Sequence, residues 1–284
     1  MTKQNETLLI VDGHNLLFQM FYGMPSRIVN REGKAIQGVI GFVGALIKII
    51  KQTEPTYLVV LFDGEHENSR TELLPEYKGN RMDYSRVEEA ENPFSQLEDV
   101  YLALDYMGIR HCETTDVETD DVIAGYALTY GTKMQIVIAS WDSDFFQLIT
   151  EKVSVLRYRG SCTTICDREY LAEKFQITPE VYADFKALVG DKADNIKGAE
   201  KIGPKTAASL LHQYGSLESI IEHKGEIERK SVRESVMKSE QALRVNYEII
   251  KLNDSATIPF KMNELVYEYD SKKTNEILQG IGLI

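Results

Sequence analysis

Short apolar runs alternate with stretches of helical periodicity in the N-terminal part of the chain, and this alternation constrains the fold most. Four runs have the length and composition of buried strands: Leu8 to Val11, Leu58 to Phe62, Ile136 to Ala139 and Val153 to Leu156. Ile36 to Thr53, between the first two, is long enough for a helical crossover. Strands alternating with helices predict a largely parallel, three-layer α/β sheet, with the strand order left open.

The strand pattern ends at about residue 178, where Thr178-Pro179-Glu180 gives a helix-start signal. The sequence therefore predicts an α/β core over residues 1–177 and a helical module over residues 178–245. The remaining segment, residues 246–284, is expected to pack back on the core. Residues 65–98 form a long, charged insertion in the core, and insertions of this kind usually carry function.

The composition is that of an ordinary soluble protein, with 43% hydrophobic and 27% charged residues. There is no run of about 18 apolar residues and no signal-peptide pattern, so we expect a cytoplasmic protein with no membrane partner. Cys112, Cys162 and Cys166 favour a reducing compartment over a disulfide framework. The Cys162 and Cys166 spacing, with no histidine nearby, gives little support for zinc. The net charge of −12 argues against nucleic-acid binding unless cations offset it.

Acidic side chains recur where predicted strands end and where one predicted helix begins. They are Asp12, Asp63, Glu118, Asp120, Asp121, Asp142 and Asp144. An Asp-Gly pair alone fits a turn, and acids in a first helical turn complement the helix dipole. Because ligands bind at the carboxyl edge of a parallel sheet, the coincidence of these features there indicates a site.

Crowded carboxylates repel one another, by about 4 kcal/mol for two charges ~4 Å apart at an effective dielectric constant of ~20. Divalent cations relieve this repulsion, and oxygen ligands select Mg²⁺ or Mn²⁺ over zinc. We interpret His14 as a packed or hydrogen-bonded residue. Asp191 and Asp194 lie in a DxxDN loop that fits a turn or further metal ligation equally well. If they join the cluster, nine carboxylates account for most of the net charge.

A lysine-rich segment follows Asp194. Pro204 marks a helix start and Gly215 its end, which leaves the amides around Gly203, Lys205 and Thr206 open to an anion. The segment carries Lys192, Lys197, Lys201 and Lys205. This pattern predicts a helix–hairpin–helix that grips a phosphate backbone without reading bases, and an ordinary helical hairpin is the alternative.

The insertion also contains a cationic group with one aromatic residue. The sequence PEYKGNR places Tyr77, Lys78 and Arg81 together, with Arg70 nearby. An aromatic ring between cations suits stacking on a base while phosphates are held. A simply solvated loop is the alternative.

Six motifs, in chain order over roughly residues 8–220, together resemble the 5′-nuclease or flap endonuclease family. They are VDGHN, FDG, LPEYKGNR, VETDD, SWDSD and LVGDKADNIKGAEKIGPKTA. The family includes phage enzymes and the N-terminal nuclease domain of bacterial DNA polymerase I. The resemblance implies a PIN-like (resolvase-like) core, a helical arch made by the insertion, and a helix–three-turn–helix module. We expect a stand-alone nuclease.

The resemblance also implies roles for the site residues. One metal site would be formed by Asp12, Asp63, Glu118, Asp120 and Asp142. Ligands associated with a second would be Asp121, Asp144, Asp191 and Asp194. Lys78 and Arg81 match arch residues that stabilise the scissile phosphate, and Tyr77 matches a residue near the terminal nucleotide. Backbone carbonyls near Ile202 and Gly203 match a monovalent cation site, here for potassium. Trp141 departs from the family, which more often has a small residue there.

The sequence thus predicts a structure-specific 5′-nuclease, a 5′-3′ exonuclease and flap endonuclease that hydrolyses DNA by two-metal catalysis. We expect a nucleoid-associated monomer acting in primer removal, replication and repair on DNA with 5′ flaps, ends or branches, including RNA-primed strands. The alternatives are a catalytically silent branched-DNA-binding protein and a PIN-type ribonuclease. The nine carboxylates oppose the first, and the insertion with the lysine hairpin opposes the second. A haloacid-dehalogenase-like phosphatase is opposed by the missing second acid in VDGHN.

Overall fold

The computed structural model of the protein describes residues 6–64, 69–115, 117–253 and 256–284. Its largest sheet contains β1 (Thr7–Asp12), β2 (Tyr57–Asp63), β3 (Arg110–Thr114), β4 (Gln135–Ala139), β5 (Val153–Arg157) and β6 (Thr164–Cys166). The strand order is β3-β2-β1-β4-β5-β6. All neighbours pair in parallel except β6, which is antiparallel to β5. The four predicted strands and the largely parallel sheet are confirmed, whereas β3 and β6 were not predicted.

Eleven α-helices lie within the described residues. They are α1 (Gly13–Gly23), α2 (Gln37–Thr53), α3 (Ser69–Leu73), α4 (Leu97–Tyr106), α5 (Thr119–Tyr130), α6 (Arg168–Phe175), α7 (Tyr182–Val189), α8 (Pro204–Tyr214), α9 (Leu217–Glu222), α10 (Lys230–Ile250) and α11 (Thr274–Gly280). Among the described residues, no helix is both long and apolar enough to cross a membrane.

Helices cover both faces of the sheet because successive strand residues point to opposite sides. In β1, Leu8 and Ile10 pack in the hydrophobic cluster that includes α5 and the helices from α7 to α10. Leu9 and Val11 pack in a second cluster with residues of α1, α2, α4 and α11. These two clusters on either side of one sheet give the predicted three-layer core.

The insertion is helical only in short pieces within its described part, residues 69–98. It contains α3 and three 3₁₀ helices, Tyr84–Arg86, Glu89–Glu91 and Pro93–Gln96, before α4 begins. Residues 65–68 of the predicted arch lie outside the described residues. A tight turn follows α3, with hydrogen bonds from the Gly79 N–H to the Glu76 carbonyl and from the Arg81 N–H to the Lys78 carbonyl, both 3.0 Å. Long helical periodicity is absent from this sequence, and turns replace a continuous helix.

The helical module begins with α7 and continues through α10. A short hairpin, β7 (Gly190–Asp191) and β8 (Ile196–Lys197), occupies the loop after α7. Pro204 is the first residue of α8 and Gly215 follows its last, so the predicted bounds of this helix are confirmed. The last helix of the module, α10, ends at Ile250, five residues beyond the predicted boundary at residue 245. The division into domains stays a prediction.

The C-terminal segment contacts the core. The backbone of Leu265 accepts from the Leu58 N–H (2.9 Å), and the Tyr267 N–H donates to the carbonyl of Thr56 (2.9 Å). These bonds cover the start of β2, where β3 does not reach. Ile277 on α11 is buried in the cluster with α2 and α4. The C-terminal segment therefore pairs with the first residues of β2, which β3 leaves unpaired.

Candidate active site

A cavity of about 630 Å³ opens at the carboxyl ends of the parallel strands, and we call it the strand-end cavity. Four of the predicted carboxylates line it: Asp12, Asp63, Asp120 and Asp142. Asp12 and Asp63 end β1 and β2, Asp142 follows β4, and Asp120 lies in the first turn of α5. Because parallel strands bring these points to one edge, residues distant in sequence meet in one cavity.

Local hydrogen bonds fix the directions of these side chains. Asp12 caps α1 by accepting from the Asn15 N–H (3.1 Å), and its other oxygen accepts from the Ser140 hydroxyl (2.9 Å). The same Ser140 oxygen accepts from the Asp142 N–H (3.0 Å). Ser140 therefore links the Asp12 carboxylate to the backbone of Asp142 on the neighbouring strand end.

Asp63 is linked to the start of α5 in a similar way. Its Oδ1 accepts from the Thr119 N–H (3.2 Å), the residue that precedes Asp120. The acidic VETDD motif therefore has both of the structural roles considered in the sequence analysis. It begins a helix, and it delivers Asp120 to the strand-end cavity.

The electrostatic environment of the strand-end cavity favours a bound cation. Burial raises the pKa of Asp12 to about 7, and the charges of Asp142 and Asp63 add to that effect. Burial likewise raises the pKa of Asp120, with Asp142 and Asp12 contributing. Within the described ranges, Asp12, Asp120 and Asp142 form no ion pair with a basic side chain. An oxygen-only donor set of this kind fits a hard divalent cation.

A second acid group lies beside the first. Carboxylate oxygens of Asp144, Asp191 and Asp194 are within 4.8 Å of one another. Lys186 forms ion pairs with Asp144 and Asp191, and Arg81 pairs with Asp194 at 2.9 Å. Burial raises the pKa of Asp144 to about 7, although Lys186 opposes the rise. Burial also acts against ionisation of Asp191, but Lys186 outweighs it and lowers that pKa.

The two remaining predicted ligands, Glu118 and Asp121, are held in ion pairs. Buried Glu118 accepts from Lys78 Nζ (2.9 Å) and from Arg70. Asp121 accepts from Arg70 Nη2 (2.8 Å) and from the Asn253 N–H (2.8 Å). The structure therefore places these two carboxylates beneath the insertion, where they anchor its cations.

Arg70 and Tyr77 are both buried beside Glu118. Arg70 is 8% exposed and bridges two carboxylates, and the DNA contact of Arg70 and the role of Tyr77 near the terminal nucleotide stay predictions. Tyr77 is 6% exposed, its hydroxyl donates to Glu118 (3.4 Å), and the Lys78 ammonium lies 4.9 Å from its ring centroid. Contacts with buried acidic residues hold both side chains inside the protein. These contacts join distant segments, so the local sequence pattern does not predict them.

Lys78 and Arg81 do line the strand-end cavity. Burial opposes the charged form of each, but nearby carboxylates outweigh it and raise both pKa values. Lys78 has a left-handed backbone (φ 55°), and its N–H donates to the carbonyl of Asp194 (3.0 Å). The turn of the insertion is thereby docked on the hairpin loop, and two permanent positive charges face the carboxylates.

The hairpin lysines are on the surface. Lys192, Lys197, Lys201 and Lys205 are all exposed, as is Gly203 at the start of α8, while Thr206 is half-buried. The Asn80 amide donates to the carbonyl of Lys192 (3.0 Å), which ties this loop to the insertion. Ile202 is buried, and the Gly203 carbonyl accepts from the Ala207 N–H (3.0 Å). The anion-binding and potassium roles stay predictions.

Sequence reasoning missed Lys186 and the aromatic wall of the cavity. The lone lysine in the apolar stretch DFKALV, five residues before Asp191, was the available signal. The wall includes Phe18, Tyr22 and Phe94. His14 is packed as predicted: its Nδ1 accepts from the Asp63 N–H (3.2 Å) and its ring meets Phe94 edge-on at 5.1 Å. Burial lowers the pKa of His14.

Comparison with known proteins agrees with this geometry. The 5′-3′ exonuclease family matches through its N-terminal resolvase-like domain over residues 7–176 and its C-terminal SAM fold over residues 177–273. A 5′-3′ exonuclease of Aquifex aeolicus is 31% identical over 281 residues, which are 98% of this chain and 93% of that one. The chain therefore belongs to the 5′-3′ exonuclease family, a family of nucleases.

Two further relatives define the range of this similarity. The thermostable DNA polymerase I of Thermus thermophilus is 33% identical over 252 residues, 86% of this chain but only 28% of the polymerase. The bacteriophage T5 D15 flap endonuclease, solved as a pseudo-enzyme–product complex with DNA and metal ions, superposes with a TM-score of 0.72 at 26% identity. That match covers 87% of this chain and 90% of the T5 chain.

Proposed function

We propose that this protein is a structure-specific 5′-nuclease that hydrolyses phosphodiester bonds of DNA at 5′ ends and at 5′ flaps. One observation carries the proposal: four strand-end carboxylates, Lys78 and Arg81 line a single cavity. Arg81 also pairs with Asp194, beside the lysine hairpin. The family membership and the DNA complex of the T5 relative support the same activity.

The carboxylates divide into two groups in this proposal. Asp12, Asp63, Asp120 and Asp142 would hold one divalent cation, and Asp144, Asp191 and Asp194 would hold a second. Glu118 and Asp121 would act indirectly, by fixing Lys78 and Arg70. Mg²⁺ or Mn²⁺ suits these oxygen ligands, and such ions supply an activated water and neutralise charge on the phosphate when bound.

Lys78 and Arg81 would act directly on the scissile phosphate. Their raised pKa values keep both side chains charged at neutral pH. Glu118 and Asp194 fix their directions before substrate arrives, and preorganised donors of this kind stabilise charge that develops in a transition state. No side chain of the protein needs to act as a nucleophile.

The hairpin would bind the duplex part of the substrate. Its lysines and the amides at the start of α8 offer donors to phosphates, so binding is expected to be independent of sequence and sensitive to salt. Potassium would be held by carbonyls near Ile202 and Gly203. We further propose a monomer at the nucleoid of the cytoplasm, acting in primer removal, replication and repair, on RNA-primed as well as DNA 5′ strands.

Product mapping on a 5′-labelled flapped duplex tests this function. Cleavage near the flap junction is expected with Mg²⁺, and neither a chelator-treated sample nor a matched 3′-flap substrate should give product. Tight binding without cleavage in Mg²⁺ or Mn²⁺ would overturn the proposal in favour of a silent branched-DNA-binding protein. Cleavage confined to single-stranded RNA would identify a PIN-type ribonuclease.

A further inference from the structure

Trp141 is the single tryptophan of the chain, and it precedes Asp142 in the loop after β4. Its indole lines the strand-end cavity and remains 36% exposed. Four carboxylates line the same cavity, so this aromatic surface lies beside the proposed cation site. The neighbours of the indole indicate which kind of ligand would pack on it.

Hydrogen bonds fix both the Trp141 ring and the loop that carries it. Its Nε1–H donates to the carbonyl of Tyr158 (2.9 Å), its backbone N–H donates to Asn15 Oδ1 (3.0 Å), and its carbonyl accepts from Arg157 Nη2 (2.9 Å). A side chain fixed before binding loses little conformational entropy when a ligand packs on it.

The hydrogen bonds of the loop do not explain why residue 141 is a tryptophan. The bonds to Asn15 and Arg157 use only the backbone of Trp141, so any residue other than proline would keep them. Only the Nε1–H bond to the Tyr158 carbonyl depends on tryptophan, and that carbonyl also accepts from Gln19 (2.5 Å). The ring therefore adds a flat surface that the loop itself does not require.

That surface differs from the rest of the aromatic wall. Phe18 and Phe94 pack edge-on against each other at 5.1 Å and against further rings. Across the described part of the chain, Trp141 makes no ring–ring contact. The Arg157 guanidinium lies 5.6 Å from the Trp141 ring centroid and is itself 4.5 Å from the centroid of Phe146. The indole is thus supported by a cation and still exposed to the cavity.

We propose that Trp141 is a base-stacking platform for an unpaired nucleobase of the nucleotide next to the scissile phosphate. The inference rests on the proposed function, because it takes the nucleic-acid substrate as the ligand. A phosphate drawn towards Asp142 and its neighbours brings an adjoining base to the indole of the preceding residue. Every base has a π-face, so this contact positions the strand without selecting its sequence.

Intrinsic fluorescence gives a direct readout, since Trp141 is the only indole. The wild-type protein is titrated with a 5′-flap duplex in Ca²⁺, whose longer and more flexible coordination is poorly suited to Mg²⁺-type catalysis. Single abasic sites are then placed in turn at each nucleotide around the cleavage position. We expect substrate to quench the emission. An abasic site at one position next to the scissile phosphate should abolish the quench and raise Kd by about 5- to 150-fold.

A double-mutant cycle in Mg²⁺ assigns the effect to stacking. Trp141→Ala should raise KM for the intact substrate by about 5- to 150-fold, and by less than about 2-fold for the substrate abasic at that position. Trp141→Phe keeps a π-face and should recover most of the loss. Tyr269→Ala, which removes a 55% exposed ring that lines a separate pocket with Pro55, is the matched control and should leave KM unchanged.

Two results would overturn the inference. One is a folded Trp141→Ala protein with an unchanged KM, and the other is a quench insensitive to an abasic site at every position. The quench titration uses the wild-type protein, so it decides the matter even where Trp141→Ala does not fold. Cleavage of the flap with no Trp141 effect removes the stacking role and keeps the proposed function. Absence of metal-dependent cleavage from every 5′-ended substrate removes the proposed function.

Discussion

Buried basic side chains neutralise individual carboxylates of the acidic cluster. Arg70 bridges Glu118 and Asp121, and Lys186, only 5% exposed, bridges Asp144 and Asp191. Removing one partner from a buried ion pair leaves an uncompensated charge, which typically costs about 3–5 kcal/mol. The protein thus neutralises part of its acidic cluster internally, whereas Asp12, Asp120 and Asp142 form no ion pair within the described residues.

Lys186→Met tests this balance. In chelator, the substitution should lower the free energy of unfolding by about 3–5 kcal/mol, because Asp144 and Asp191 lose their shared cation. Saturating Mg²⁺ should restore part of the loss, since an ion can replace the ammonium. Urea denaturation measures both effects. Lys192→Met, at an exposed position of the adjacent loop, should change the stability by less than about 0.5 kcal/mol. Equal effects of the two substitutions would contradict the account.

Asp142→Asn tests the strand-end cavity. Turnover should fall by about 100-fold or more, because even residues outside the ligand shell of a metal typically contribute 10- to 100-fold. DNA binding should be unchanged or tighter, since one negative charge beside the phosphate is removed. Single-turnover cleavage and equilibrium binding separate the two quantities. Asp270→Asn, remote from the cavity and paired with Lys272, serves as the control. Full turnover by Asp142→Asn would exclude this carboxylate from the site.

At the scale of elements, apolar periodicity reveals buried strands and conceals edge strands. The runs that became β1, β2, β4 and β5 are apolar because helices cover the sheet there. The edge strand β3 has the sequence RHCET, with Arg110 and Glu113 exposed, and it exists because it pairs with β2. The same applies to the three-residue β6, which pairs with β5. Such strands form because they pair with a neighbouring strand, and local hydrophobic periodicity does not predict them.

The site could be predicted to a similar extent. Strand topology alone brings Asp12, Asp63 and Asp142 to one edge, so these positions followed from sequence. The inward turn of Arg70 and the bridging position of Lys186 depend on packing between distant segments. Ion pairs of that kind depend on the folded structure, and the spacing of residues along the sequence does not predict them.

The hairpin element carries its own prediction. Combined Lys201→Ala and Lys205→Ala should weaken binding to duplex DNA and make the slope of log affinity against log salt less steep by about 2, one per phosphate contact. Combined Lys51→Ala and Lys230→Ala, at the end of α2 and the start of α10, removes two exposed lysines outside the hairpin and should leave the slope unchanged. Affinity measured over a salt series provides the slopes. Identical slopes for both pairs would mean that the hairpin does not contact phosphates.

In the whole molecule, the raised pKa of Asp12 couples the stability of the fold to pH. Burial raises the folded-state pKa of Asp12 to about 7, well above the ordinary aspartate value of 3.8. Because the folded state holds this proton more tightly, the stabilisation is complete below the unfolded-state pKa and is lost as pH rises through about 7. Divalent cations bind the ionised form, so metal should replace the proton at higher pH.

The melting temperature should therefore depend on pH and metal together. In chelator, it should fall between pH 6 and pH 8, and saturating Mg²⁺ should raise it more at pH 8 than at pH 6. Thermal denaturation under these four conditions gives the comparison. Asp142→Asn removes a charge that raises the Asp12 pKa, so it should flatten the pH dependence in chelator. An Mg²⁺ effect of equal size at both pH values would argue against carboxylate ligation.

Anomalous diffraction from crystals soaked in Mn²⁺, at a concentration that supports cleavage, tests whether the carboxylates of the strand-end cavity bind a metal ion. We expect an anomalous peak in the strand-end cavity, within ligand distance of Asp12, Asp120 or Asp142, and loss of that peak in Asp142→Asn crystals. Mn²⁺ bound elsewhere, with nothing among these carboxylates under conditions of full activity, would contradict the claim.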